Sequence, residues 1–378
     1  MSSVTFLDKL LDGVAVVWSE VGELISPQRG RRLVKSQLEK VGSYAVYQNS
    51  MKPLGYYYES NAQAGATFVI VAGAAGEIGF SDDAFWAADD VYFFSESDAV
   101  NNKYLYHFLL TKQHEISSQV RRASVPRLSI SVVERLEIPV PCPDNPKKSL
   151  EIQAEIVRIL DAFTELTAKL TAELVIRKEQ HKYYQFEMLQ FPATTQYLKI
   201  GDCCDIKKGL TPIKKATPGK FPLVATTEER QSSSDYQFDC AAVCVPLISS
   251  RGHGVASIDR IYFQDGKFAL GNILCAIIPD DSRLLSAKFL RHYLFNKKDV
   301  LLVPLMRGGA NVSLTVDSLK KVAVPIPPMA EQQRIVRILD KFDELVKSLP
   351  REIELRQKQY EYYRDLLLSF PKPEAVEA

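Results

Sequence analysis

The residues of this chain best suited to chemistry are cationic and fall in three short runs. Arg29, Arg31, Arg32 and Lys35 follow Ser26-Pro27 with no acid between them. Arg121, Arg122 and Arg127 surround Ser124-Val125-Pro126. Lys199, Lys207, Lys208, Lys214, Lys215 and Lys220 face only Asp202 and Asp205 in their interval. Cations on loops suit phosphate. Arginine can also grip guanine with two hydrogen bonds, as Asn or Gln can grip adenine. Gln48 and Asn49 are thus candidate base readers near the first runs, and Arg251, His253, Arg307 and Asn311 near the third. Taken singly, each is ordinary solvated surface. Taken together, the recurrence of such runs points to double-stranded DNA.

Other chemistry is missing. Cys203-Cys204 with Cys240-x3-Cys244 is poor geometry for a tetrahedral zinc site, and the setting is apolar; buried thiols and no metal are expected. His107, His114, His181, His253 and His292 show no ligand spacing, and His107 and His292 are expected to pack inside helices. The run from Gly73 to Gly79 reads as a turn, because it lacks the spacing of a dinucleotide fingerprint. There is no phosphate-binding Gly-x4-Gly-Lys-Ser/Thr loop, no Asn-Pro-Pro-aromatic motif of amino-methyltransferases and no legible catalytic triad. The chain is expected to bind rather than catalyse. Its formal charge of +1 means that contact with a polyanion comes from local patches or from a partner. No apolar run is long enough for a membrane span and no signal-like leader opens the sequence, so a cytoplasmic protein is expected.

The elements that must position these residues are set by a repeat. Gln153–Phe191 recurs 179 residues later as Gln332–Phe370, with 18 of 39 positions identical. Apolar residues step along both copies at heptad spacing with a final stutter. They are Ile156, Ile159, Phe163, Leu166, Leu170 and Leu174 in the first, and Ile335, Ile338, Phe342, Leu345, Leu349 and Ile353 in the second. These seams predict two long helices packed antiparallel as a coiled coil with an approximate two-fold axis. Each rod of about 40 residues would span ~60 Å, against ~34–36 Å for a turn of B-DNA. Pro350, where the first copy has Thr171, is expected to kink or restart the second rod.

The remaining blocks read as mixed α+β heads. Thr67–Ala72, Asp90–Phe94 and Leu136–Val140 are strand-like in the first, and Asn102–His114 is helical. Phe238–Val245, Asn272–Ile278 and Val322–Ile326 are strand-like in the second, and Ser286–Asn296 is helical. The division is an N-terminal segment 1–13, which includes a short helix, a first head 14–141 and a linker with long helix 142–192. A second head 193–327 and a C-terminal helix with tail 328–378 follow.

The whole arrangement resembles the specificity subunit (HsdS) of type I restriction–modification systems. The most specific matches are the lead-ins Ile138–Gln153 and Ala330–Gln333, the tandem tetrapeptides Thr167–Leu170 and Thr171–Leu174, and the tail Leu349–Arg364, which look like the IC subclass. The resemblance implies two target-recognition domains, each reading half of a split asymmetric DNA site, with the helices fixing the gap. It also implies docking of two methylation subunits, with restriction subunits added. S-adenosylmethionine and ATP are then bound by the partners, and no cofactor by this chain. The competing reading is a coiled-coil adaptor between proteins, without sequence-specific DNA binding.

Overall fold

The computed structural model describes residues 11, 13–213, 216–227, 231–250, 258–308 and 311–370. It divides into two units: residues 1–170 with 352–378, and residues 171–351.

The first unit carries β1 (Val16–Glu20), β2 (Pro27–Arg29), β3 (Tyr44–Tyr47), β4 (Gly55–Tyr57), β5 (Ala66–Ile70), β6 (Ile78–Ser81), β7 (Phe85–Ala87), β8 (Val91–Phe94), α1 (Asn102–Thr111) and β9 (Glu137–Pro141). An antiparallel sheet runs β2-β8-β5-β6, a smaller one runs β4-β3-β7, and β1 pairs with β9. Every residue of β5 is buried, which suits its unbroken apolar and β-branched sequence. Phe68 on β5 lies opposite Gly79 on β6, and a Cβ on Gly79 would fall 2.2 Å from the Phe68 ring. Gly73 and Gly76 take φ of +80° and +89°, so the glycine run is the turn between these strands. Asn101 caps α1 by accepting from the Lys103 and Tyr104 amides.

Next come α2 (Pro146–Met188) and the second head: β10 (Tyr197–Lys199), β11 (Cys204–Lys208), β12 (Phe221–Val224), β13 (Gln231–Ser233), β14 (Phe238–Asp239), β15 (Ala242–Pro246), β16 (Ile248–Ser250), β17 (Tyr262–Gln264), β18 (Lys267–Leu270), β19 (Leu274–Pro279), α3 (Ala287–Leu301), β20 (Arg307–Gly308), β21 (Asn311–Ser313) and β22 (Ala323–Pro325). The order β11-β19-β15-β17 repeats that of the first head strand for strand, and β10 pairs with β22 as β1 does with β9. The expected strand Phe238–Val245 is two strands. Cys240 donates to Gly266 O and turns the chain, so that Phe238–Asp239 joins β18 while Ala242–Pro246 enters the other sheet.

The chain ends its described part with α4 (Met329–Leu367). Helix α2 starts ahead of the repeat because Pro146 suits a first helical turn and Asn145 accepts from the Lys148 amide at 3.1 Å. Helix α4 runs continuously through Pro350, so the proline does not restart the rod. In the first unit Phe163 of α2 stacks on Tyr363 of α4 at 5.1 Å. In the second, Tyr184 of α2 stacks on Phe342 of α4 at 5.2 Å. Each unit thus joins the early half of one helix to the late half of the other, as antiparallel helices require.

The seam is deepest where the heads cover it. Ile156 and Ile335 are fully buried, together with Leu160 and Leu339, which heptad spacing leaves out. These residues face the head cores as well as the paired helix. Ile159, Phe163, Leu170, Leu174, Ile338, Phe342, Leu345, Leu349 and Ile353 are half-buried. Leu166, placed in the seam by its spacing, is 38% exposed, because a lone pair of helices covers a seam from one side only.

Polar latches seat each head on its helix. Gln153, fully buried, accepts from the Asn101 amide (2.8 Å) and donates to Ala99 O (3.0 Å). Gln332 repeats this with the Ser286 amide (2.9 Å) and Leu284 O (2.9 Å). Eight residues on in each repeat, Asp161 takes Lys103 (3.0 Å) and His107 (3.4 Å), while Asp340 takes Lys288 (3.0 Å) and His292 (2.7 Å). The histidines expected merely to pack are therefore buried hydrogen-bonding groups.

Candidate nucleic-acid interface

In the first head the fold gathers most of the proposed DNA contacts by backbone hydrogen bonds. Exposed Asn49 and half-buried Gln48 follow β3. The Asn49 carbonyl accepts from Ala74, and Gly73 donates to Pro126 O. A Cβ on Gly73 would lie 2.8 Å from Asn49, so glycine is needed for this close approach. Arg121 and Arg127 exchange backbone bonds of 2.9 and 3.1 Å, closing a hairpin that presents Arg122. Leu128 ties the hairpin to Val71.

The first basic run joins the same edge. Arg29 ends β2, and its Nε donates to Asp89 O at 3.2 Å. The Arg31 amide donates to Ala87 O, and its carbonyl accepts from the Trp86 indole at 2.9 Å. Ala88 in turn donates to Tyr47 O, next to Gln48. Arg29, Arg31, Arg32, Lys35, Arg121, Arg122 and Arg127 are all exposed. Lys35 opens a short 3-10 turn at Lys35–Gln37.

The second head gathers fewer of its candidates. Lys207 and Lys208 are exposed on β11. Lys207 is compensated by Asp205 at 3.1 Å. Gln237, which composition did not single out, brackets this corner by donating to Lys208 O (2.8 Å) and accepting from the Leu210 amide (3.0 Å). Arg307 is exposed on β20, with Nη1 donating to Pro304 O at 2.8 Å. The backbone of Asn311 pairs with Ser250 across β16 and β21. Lys214, Lys215, Arg251 and His253 lie outside the described residues.

The thiols form no such surface. Cys204, Cys244 and Cys275 are buried, and burial pushes their thiols up, to about 12 for Cys275. Among the described residues no cluster could hold a metal, and no helix is long and apolar enough to cross a membrane.

Two mixed heads of common topology are each latched by a buried glutamine to their own stretch of long helix. The chain belongs to the type I restriction–modification DNA specificity family, whose domain profile matches residues 15–176 and again 192–355. It is 35% identical to the EcoR124I/EcoR124II specificity subunit of Escherichia coli, over all of both chains. It is 25% identical to the EcoprrI specificity subunit of the same species, over 92% of this chain and 93% of that one. The crystal structure of a type I restriction–modification S subunit from M. genitalium shares the fold, with a TM-score of 0.69 at 16% identity, over 96% of this chain and 98% of that one.

Proposed function

We propose that this chain is the DNA sequence-specificity subunit of a type I restriction–modification complex. Each head reads one half of a bipartite, asymmetric site in double-stranded DNA, and the helix pair sets the gap between the halves. The observation that carries this reading is the duplicated unit: equal sheet order in two heads whose exposed residues differ, each latched to a repeated helix. The chain does no chemistry alone. Two methylation subunits dock on it and bring S-adenosylmethionine, restriction subunits bring ATP-driven work, and the complex acts in the cytoplasm. Each unit offers apolar docking surface on its helices, Leu355 and Tyr362 in the first and Val175, Ile176 and Phe186 in the second, each more than half exposed.

Methylation mapping of a host with and without the gene tests the proposal. A two-part methylated motif that vanishes with the gene is expected; an unchanged methylome would overturn it. Deleting Thr171–Leu174 removes ~6 Å and ~40° of helix, and should shorten the gap by one or two steps of about 3.4 Å with both half-sites kept. Altered half-sites at a constant gap would count against the ruler.

A further inference from the structure

The two heads can be overlaid residue by residue through backbone hydrogen bonds. Val21 donates to Leu136 O, and Ile200 to Val322 O. Gly30 donates to Val91 O, and Gly209 to Leu274 O. Val71 donates to Asp90 O and accepts from Leu128; Leu247 donates to Ile273 O and accepts from Leu314. Arg121 pairs with Arg127, as Arg307 pairs with Ser313. In this register Arg29 coincides with Lys208, and Arg121 with Arg307.

All four residues are exposed. The glycine that follows Arg29 and the one that follows Lys208 are obligatory. A Cβ on Gly30 would sit 2.1 Å from Ala88 O, and one on Gly209 would sit 2.1 Å from Gly271 O. The chain is thus pressed against a neighbouring strand, which fixes where the preceding cation emerges. Carbonyls of Asp89 and Pro304 steady Arg29 and Arg307. Around these positions the heads differ: Gln28 answers to Lys207, Arg127 to Ser313, and the Gln48-Asn49 turn to Ala225-Thr226.

Heads that read different bases still meet the same sugar–phosphate backbone. Contacts held in common suit phosphate, and contacts that differ suit base edges. We propose that Arg29 with Arg121, and Lys208 with Arg307, are sequence-independent phosphate anchors at matching places in the two heads, with base reading left to unshared positions such as Gln48 and Asn49. The proposal rests on the reading of the chain as a DNA-specificity subunit. A lysine standing where Arg29 stands favours phosphate, which accepts a point charge, over guanine, which a guanidinium grips with two bonds.

The test uses the full complex with its methylation subunits and carries R29Q, R121Q, K208Q and R307Q singly. Each variant should lower the slope of log affinity against log salt by about 0.9, weaken cognate and unrelated duplexes by the same factor, and leave the methylated motif unchanged. R29K, R121K and K208R should bind like the parent. N49A should instead change the first half-site at constant slope. An unchanged slope in the glutamine variants, or an altered motif, overturns the anchors; a failure of the lysine forms to rescue points to guanine contacts and overturns them too. A parent complex that prefers no duplex sequence sinks the specificity reading itself, which is a separate outcome.

Discussion

In the first unit His107 lies between the Asp161 carboxylate, 3.4 Å from Nε2, and the Tyr360 hydroxyl, 2.8 Å from Nδ1. In the second, His292 lies between Asp340, 2.7 Å from Nε2, and Arg291, 3.2 Å from Nδ1. Arginine only donates, so His292 Nδ1 must accept and Nε2 must carry the hydrogen facing Asp340. The repeat counterpart of Tyr360 is His181, which approaches Asp343 at 3.1 Å without good hydrogen-bond alignment. Asp343 also takes Arg291 at 2.9 Å, and its counterpart in the first copy is Thr164. The Gln, Asp, Lys and His that join head to helix are the same in both units. The residues that finish the junction differ, phenolic in one unit and ionic in the other. Duplication preserved what orients a head and left the surrounding contacts free to diverge.

The largest expected effect is on the shared part. Gln153→Ala or Gln332→Ala strips buried partners from the start of a head helix and should cost about 3 kcal/mol. Hydrogen exchange on the full chain should rise in the head that lost its latch and not in the other; equal loosening of both would break the comparison.

Asp343→Asn removes a partly buried charge from Arg291 and His181 and should cost about 2 kcal/mol in the second unit. Thr164→Val, at the matching place, should be near neutral. Denaturant titration of both variants checks the contrast, which disappears if the two costs are alike. Tyr360→Phe removes one hydroxyl–imidazole bond, at about 1 kcal/mol, and the same titration reads it; a loss as large as that of the glutamine variants would make Tyr360 part of the shared latch.

The smallest effect is in pH. Burial pushes the His107 imidazole below its usual value, although Asp161 pulls it up. The unfolded imidazole therefore binds its proton first, near pH ~6.5. Stability from this group is whole above that pH and declines as the pH drops toward the folded value. Burial works to raise the Asp343 carboxyl, but His181 and Arg291 hold it at about 2. Its contribution is whole above about pH 4 and is lost only as the pH falls toward that lower value. Limited proteolysis at pH 7 and pH 5 should cut the first unit earlier on acidification, and H107Q should flatten the response. First cuts in the second unit would reverse the assignment.

Much of this was legible in the chain. The repeat set the helices, Thr67–Ala72 overlaps the observed strand Ala66–Ile70, and Asn102–His114 contains the observed helix Asn102–Thr111. The latches escaped because a glutamine or aspartate on an amphipathic helix looks like solvated surface. The available signal was identity: Gln153/Gln332 and Asp161/Asp340 are polar positions that both copies share, and Lys-x3-His recurs in both head helices. The sheet switch at Cys240 had no local mark, since Phe238–Val245 is apolar apart from Asp239, like a single buried strand. The patch joining Asn49, Gly73 and Arg121 was equally hidden, because it is made by bonds between segments distant in sequence.

The first unit has an unusual birth order. Its core contains Tyr360 and Tyr363 at the edge and Leu367, Leu368 and Phe370 within, all made after the whole of the second unit. The other unit is one unbroken segment, 171–351. Translation therefore delivers every piece of the second unit before the first is complete, so the unit begun first must wait for the late half of α4, and a stop codon at Leu367 would damage that earlier-begun unit most.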